Sequence, residues 1–295
     1  MTKRRFYTLD VFTAAPLAGN PLAVVLDAEG LDNAAMQAIA GEFNLSETVF
    51  VLPADNPRQR AQIRIFTPEI EMPFAGHPTV GTASLLALLD GGGARAFGLA
   101  LAAGDVACIV DCESDRSARA RFRSPGLPKV YAPSLDRLDV AVALGLDPVE
   151  IGAGAHEPSM HGVALPMAFA PVAAVAALAR IKPDCAMINR LNPEHGAIYP
   201  YARAGEGLHF RSRMFAPGAG VAEDPATGSA VAGFAGVLMQ FEKLGDGEHD
   251  VVVEQGVEMG RPSRIEMQMT IANGALTGVE IGGQAVIVAE GVLRL

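Results

Sequence analysis

Apolar and polar positions alternate through most of the first hundred residues. RFYTLDVF (5–12) and PLAVVLD (21–27) read as strands, and DNAAMQAIAGEF (32–43) has a helical period. Strands follow at ETVFVL (47–52) and QIRIFT (62–67), then a helix from Pro78 to Leu89 that Gly91–Gly93 ends. After strand patterns around ACIV (107–110) and RARFRS (119–124), the Pro-rich stretch from Ser124 to Pro133 reads as a linker. Beyond it the order starts again: a helix near 135–144, a strand at GVALPMAF (162–169), a helix at APVAAVAALARI (170–181), strands at GAIYPYAR (196–203) and LHFRSRMF (208–215), and a helix from Pro225. The expected organisation is an N-terminal lobe, 1–123, with room for the last C-terminal strand to return to it, and a C-terminal lobe, 124–295.

The repeated order has a counterpart in the letters. HPTVGTA (77–83) aligned with DPATGSA (224–230) matches Pro78 to Pro225, Gly81 to Gly228 and Ala83 to Ala230, with Thr82 opposite Ser229. Phe-x-Pro precedes each copy, at Phe66–Pro68 and Phe215–Pro217, and the two copies stand half a chain apart. Duplication accounts for this, and the expected ligand site is then the cleft between two similar halves.

Both motifs read as helix N-termini, with Asp224 or His77 in the capping position and proline at the first helical position. Glycine one turn in, at 81 and 228, weakens a helix by about 1 kcal/mol relative to alanine. Two explanations compete: backbone N–H groups approaching a ligand, or a helix lying close on a strand. Taken singly, Asp224 is a cap, Glu223 a solvated first-turn acid and His77 an ordinary histidine. As a matched pair at helix starts, where unpaired N–H groups favour negative charge, His77 and Asp224 point to proton transfer on an anion. Glu47 shares a strand face with Val49 and Val51, as either a charged strand end or a carboxylate desolvated for acid/base work.

Composition narrows the partners. The chain has 295 residues, half of them apolar, and a net charge of −10 with no basic stripe. That allows a large core and excludes a nucleic-acid partner, while a helix N-terminus can still hold a small anion. No apolar run is long enough to span a membrane, and MTKRRFYTLDVFT passes into a strand pattern without an apolar signal core, so no membrane association and a cytoplasmic location are expected. Cys108, Cys112 and Cys185 fit neither a disulfide framework nor a metal motif. His156, His161, His195, His209 and His249 lack ligand spacing and read as surface or satisfied groups; no metal is expected. Arg211 and Arg213 alternate on the strand before the second motif, facing either solvent or a substrate carboxylate.

GNPLAVV (19–25), LSETVFV (45–51), FTPEIEMPFAGHPTVGTA (66–83) and EDPATGSA (223–230), in that order, resemble the PhzF-like family of phenazine-biosynthesis-type isomerases, with a diaminopimelate-epimerase-like fold. The resemblance implies an α+β fold of two pseudo-symmetric lobes, each a mostly antiparallel sheet wrapped around a central helix, and a homodimer. It also implies a cofactor-independent isomerase acting on a small carboxylate-bearing substrate, similar to a dihydro-hydroxyanthranilate. By the same resemblance Glu47 is the acid/base, with His77, Asp224 and Ser229 around the substrate. Gly76, Gly81 and Gly228 would contribute to anion binding, with Asn20 and Ser46 lining the site. Related epimerases carry a cysteine at each helix start and this chain has none there, so a two-thiol mechanism is disfavoured. An amino-acid epimerase or racemase and a non-catalytic small-acid binding protein are the competing readings.

Overall fold

The structure, a computed structural model, describes residues 3–131 and 135–295. The chain forms two compact units, one of residues 1–125 and 282–295, the other of residues 126–281.

The first unit contains β1 (Lys3–Val11), β2 (Asn20–Val25), α1 (Asn33–Phe43), β3 (Glu47–Leu52), β4 (Gln59–Phe66), β5 (Glu71–Met72), α2 (Gly76–Leu89), β6 (Ala94–Leu101), β7 (Gly104–Cys112) and β8 (Ser117–Arg123). Its strands run β1-β2-β3-β4-β6-β7-β8 across the sheet. Pairing is antiparallel except for β2 with β3 and β4 with β6. Every residue of α2 from Gly76 through Ala87 is buried, and the helix touches β1, β2, β3, β7 and β8. A helix apolar on all sides needs such cover, because each fully buried Leu or Val stabilises by about 1.5–3 kcal/mol. On the opposite face of the sheet, Met36, Ile39 and Ala40 of α1 pack on Phe50 and Phe66.

The second unit contains β9 (Lys129–Tyr131), α3 (Arg137–Leu144), β10 (Ser159–Gly162), β11 (Met167–Pro171), α4 (Val175–Leu178), α5 (Cys185–Leu191), β12 (Ile198–Arg203), β13 (His209–Ser212), α6 (Gly228–Phe241), β14 (Gly247–Gln255) and β15 (Ser263–Ala272). The long strand β16 (Ala275–Arg294) begins there and ends in the first unit, where it pairs antiparallel with β1. From β10 to β15 the pairings run antiparallel, parallel, antiparallel, parallel, antiparallel. The same succession runs from β1 to β7. In both units a helix fills the second parallel crossover, α2 in the first and α6 in the second. The α6 helix, largely buried, touches β9, β10, β11 and β15. The mixed α+β class expected from the sequence is the one observed.

Several elements differ from the sequence reading. GVALPMAF is two antiparallel strands, β10 and β11, joined at 163–166: a Cβ on Gly162 would lie 1.9 Å from the Leu165 carbonyl oxygen, a turn only glycine fits. APVAAVAALARI is one helical turn, α4. Its opening residues are held as extended chain, since Val172 N–H donates to Tyr201 O and Ala173 N–H to Glu150 O, and this ladder overrides alanine's helix propensity. The expected linker holds strand β9, with Ala132 and Pro133 outside the described residues.

The helix starts shift as well. Helix α2 begins at Gly76, which places His77 and Pro78 inside the first turn, and its N-cap Ala75 makes no side-chain hydrogen bond. Helix α6 begins at Gly228, so Asp224 and Pro225 lie in an irregular segment before it, and its N-cap Thr227 likewise makes no capping bond. Neither His77 nor Asp224 is the N-cap of its helix, and among the described residues neither N-cap residue makes a side-chain capping bond.

Candidate active site

Glu47 opens β3, and strand alternation decides where it points. Phe50, on the opposite face, belongs to the α1 cluster, so Glu47 and Val49 face α2. There the Glu47 Oε2 lies 3.0 Å from Nδ1 of His77, with only 15% of the Glu47 side chain and 5% of the His77 side chain exposed. An ionised carboxylate only accepts, so Nδ1 carries the proton. The other ring nitrogen, Nε2, is buried and has no hydrogen-bond partner among the described residues. The two groups form a proton-handling pair with one ring nitrogen uncommitted.

Asn20 opens β2, beside β3 in parallel register, and is fully buried. Ser46 Oγ donates to its Oδ1 at 3.3 Å, which ties the two strand starts together next to Glu47. Gly76 is buried at the start of α2. Gly81 is explained by packing: a Cβ there would stand 2.6 Å from Leu22 Cδ2 and 2.8 Å from Val11 Cγ2. Of the two explanations for that glycine, the helix-on-strand one holds. Glu47, His77, Asn20, Ser46 and Gly76 thus gather at one end of the first unit, and Gly81 lies a turn deeper.

In the second unit, Asp224 is half-buried, Gly228 is buried at the first position of α6 and Ser229 is exposed. Asp224 accepts from the Thr227 hydroxyl through Oδ2. Gln255, fully buried at the end of β14, donates to the Asp224 carbonyl at 2.8 Å and to Thr227 Oγ1 at 3.0 Å. Tyr199 and Ser212 continue this network inward. Sequence reasoning passed over Gln255, although the strand pattern carried a signal: Val251, Val253 and Gln255 share the inward face of β14, so a polar residue ends an apolar row.

Neither reading of Arg213 survives. Its guanidinium is buried and makes two bonds of 2.7 Å to Glu223, one of 2.9 Å to Leu178 O, and stacks 4.8 Å from the Phe215 ring. Glu223 is accordingly a paired carboxylate and not a solvated one. Arg211 is partly buried beside Glu258, at 3.7 Å.

The remaining titratable groups lie elsewhere. Cys108 is buried on β7, where desolvation pushes its thiol up to about 12; Cys112 and Cys185 also lie away from both helix starts. His156 is buried between the Tyr201 hydroxyl at 2.8 Å and Glu242 at 2.9 Å, a satisfied core histidine. His161 is not satisfied in that way. It is fully buried, neither ring nitrogen has a hydrogen-bond partner among the described residues, and burial holds its pKa down while Gln240 acts in the opposite direction. Among the described residues no three His, Cys, Asp or Glu side chains gather as a metal site, and no helix is long and apolar enough to cross a membrane.

A family model described as Phenazine biosynthesis-like protein matches residues 9–291. An uncharacterized isomerase of Mesorhizobium japonicum is 48% identical, with 99% of each chain covered. A trans-2,3-dihydro-3-hydroxyanthranilate isomerase of Pseudomonas aeruginosa is 35% identical over 97% of this chain and 98% of its own. The crystal structure of a PhzF-family phenazine biosynthesis protein from Bacillus anthracis superimposes with a TM-score of 0.89 at 26% identity, with full coverage of both chains.

Proposed function

The chain belongs to the phenazine biosynthesis-like protein family and is an isomerase, and from that premise we propose that it moves a proton between carbons of a small, conjugated, carboxylate-bearing substrate, using Glu47 as the acid/base and no cofactor. The observation that carries this reading is the desolvated Glu47–His77 pair, 3.0 Å apart. A carboxylate held by one imidazole nitrogen has a fixed orientation, so its other oxygen is presented to a carbon-bound proton in one direction. Removing a proton next to an unsaturated system leaves an enolate-like anion, and returning it at another carbon of that system completes the isomerisation with atoms balanced. His77 Nδ1–H steadies the ionised form of Glu47, and Nε2 is available to accept a substrate hydroxyl or amine proton.

Ser229 and the backbone N–H groups of Gly228 and Gly76 are assigned to the substrate's carboxylate, and Asp224 to orienting the substrate or relaying protons at a neighbouring polar group. Helix starts without a side-chain cap suit that task, because their first N–H groups and the helix dipole favour negative charge. Asn20 and Ser46 line the Glu47 end. The relative from Pseudomonas aeruginosa supports a substrate similar to trans-2,3-dihydro-3-hydroxyanthranilate.

The test replaces Glu47 with Gln and follows deuterium from solvent into product. General acid–base catalysis contributes about 10²–10⁴-fold, so turnover and deuterium incorporation should fall together by that factor. Incorporation at the wild-type rate would end the proposal, and washout at a single stereocentre without allylic transfer would favour an epimerase.

A further inference from the structure

We infer that Gln255 is the positioning residue for the substrate carboxylate: it fixes the loop 224–227, and through it the Asp224 side chain and the first turn of α6. The inference rests on the proposed assignment of that helix start to the carboxylate.

Gln255 is fully buried, and all four hydrogen-bonding places of its carboxamide are filled. Nε2 donates to Asp224 O and Thr227 Oγ1, at 2.8 and 3.0 Å. Oε1 accepts from Thr227 N–H at 3.2 Å and from the Tyr199 hydroxyl at 3.0 Å. The orientation of the amide follows from its backbone partners, since a carbonyl can only accept and an N–H can only donate. That orientation decides the rest. Thr227 Oγ1 accepts from Gln255 Nε2 and donates its own hydrogen to Asp224 Oδ2, and it accepts from no N–H of α6. Ser212 Oγ donates to the Tyr199 hydroxyl at 2.7 Å, which directs the Tyr199 hydrogen toward Gln255. A single chain of donors therefore runs from Ser212 in the core to the Asp224 carboxylate.

The next residue supports the same loop. Gly256 has a φ of +73°, and a Cβ on it would stand 2.6 Å from Pro225 O. Gln255 and Gly256 hold the segment before α6 from below, by hydrogen bonds and by close backbone contact. This arrangement differs from an ordinary helix start, in which Thr227 would cap its own helix. Here Gln255 occupies the Thr227 oxygen as an acceptor and Asp224 takes its hydrogen, so Thr227 leaves its helix uncapped and Asp224 is tied to the N-cap residue.

The test uses the full chain with Gln255→Met, which keeps length and loses every polar contact, and Gln255→Glu, which keeps the acceptor for Thr227 N–H. Anthranilate serves as the probe carboxylate in calorimetry, and amide hydrogen exchange of residues 224–230 reports the loop directly. Q255M should weaken anthranilate binding at least tenfold, raise the substrate KM by a similar factor with kcat within about threefold, and speed exchange at 227–229; Q255E should recover part of each. Wild-type anthranilate affinity in a folded Q255M protein would overturn the inference. So would a fall in kcat alone. E47Q binds anthranilate as wild type does under both proposals, so loss of deuterium incorporation in E47Q judges the acid/base reading and anthranilate affinity in Q255M judges this one.

Discussion

Replacing Arg213 with Met separates a structural arginine from a substrate-binding one. The guanidinium makes a bidentate pair with Glu223 at 2.7 Å, with 10% and 17% of the two side chains exposed, and donates to Leu178 O. Methionine fills much of the same volume but leaves Glu223 as a nearly buried carboxylate without its partner. Breaking a buried pair from one side costs about 3–5 kcal/mol. Because Glu223 keeps some access to water, the low end, about 3 kcal/mol, is the expected loss. Glu223→Gln, which retains hydrogen bonding to the arginine, should cost about 1–2 kcal/mol. The double variant should lose less than the two single losses together, with a coupling of about 1–3 kcal/mol, since removing both charges leaves none stranded. Urea unfolding followed by tyrosine fluorescence suits the measurement: the chain has no tryptophan, and Tyr131, Tyr199 and Tyr201 all lie in the second unit. Substrate KM should stay within about twofold in the folded single variants. An unchanged unfolding midpoint together with a tenfold rise in KM for R213M would refute the argument and return Arg213 to the substrate carboxylate.

Two further predictions follow from groups outside the site. His161 is buried and His195 partly buried, and desolvation lowers the pKa of both, while an unfolded imidazole titrates near about 6.5. Between the folded and unfolded values the unfolded chain binds more protons, so stability falls as pH drops below about 6.5. His161→Leu should flatten that acid-side slope in unfolding measurements from pH 7 to 5, and an unaltered slope would count against the assignment. For the thiols, burial and exposure set the order of reaction. Iodoacetamide at pH 8 should label exposed Cys185 first and Cys112 more slowly, with Cys108 modified only in denaturant; peptide mass spectrometry that found Cys108 labelled as fast as Cys185 in the native protein would contradict its burial.

What the sequence reveals about this site depends on how far apart the interacting residues stand. That Glu47 shares one face of β3 with Val49 and Val51 is readable from alternation alone, because all three sit within one short strand. That Glu47 meets His77 is not, since α2 reaches it only by packing on the sheet. The same limit explains the misplaced helix starts. A proline preceded by Asp or His suggests a capped first turn, yet α6 starts only at Gly228, and the Asp224 side chain accepts from the Thr227 hydroxyl while Gln255, distant in sequence, holds its carbonyl. Gly81 shows the converse: the letter signals a close approach, and only the positions of Leu22 and Val11 show what approaches.

The repeated pairing order places one further constraint on the mechanism. Glu47 is the first residue of the strand that forms the first parallel crossover pair, β2 with β3; Thr48 pairs with Phe66 as Ile198 does with the matching Phe215, so the position equivalent to Glu47 in the second unit is Ala197, which is fully buried. The partner of Glu47, His77, aligns with Asp224, whose Oδ2 is engaged by Thr227. The second copy therefore has no acid or base where the first has Glu47, and no thiol at its helix start. A symmetric two-base epimerase would need both copies to supply a proton-transfer group at equivalent places. Here one copy carries the Glu47–His77 pair and the other a hydrogen-bonded frame built on Gln255, an asymmetry that suits suprafacial transfer by a single carboxylate. It follows that the second unit supplies no carboxylate at the position equivalent to Glu47, and the loss in E47Q should persist across pH 5 to 9; activity that returned at high pH would show that another base takes over the proton.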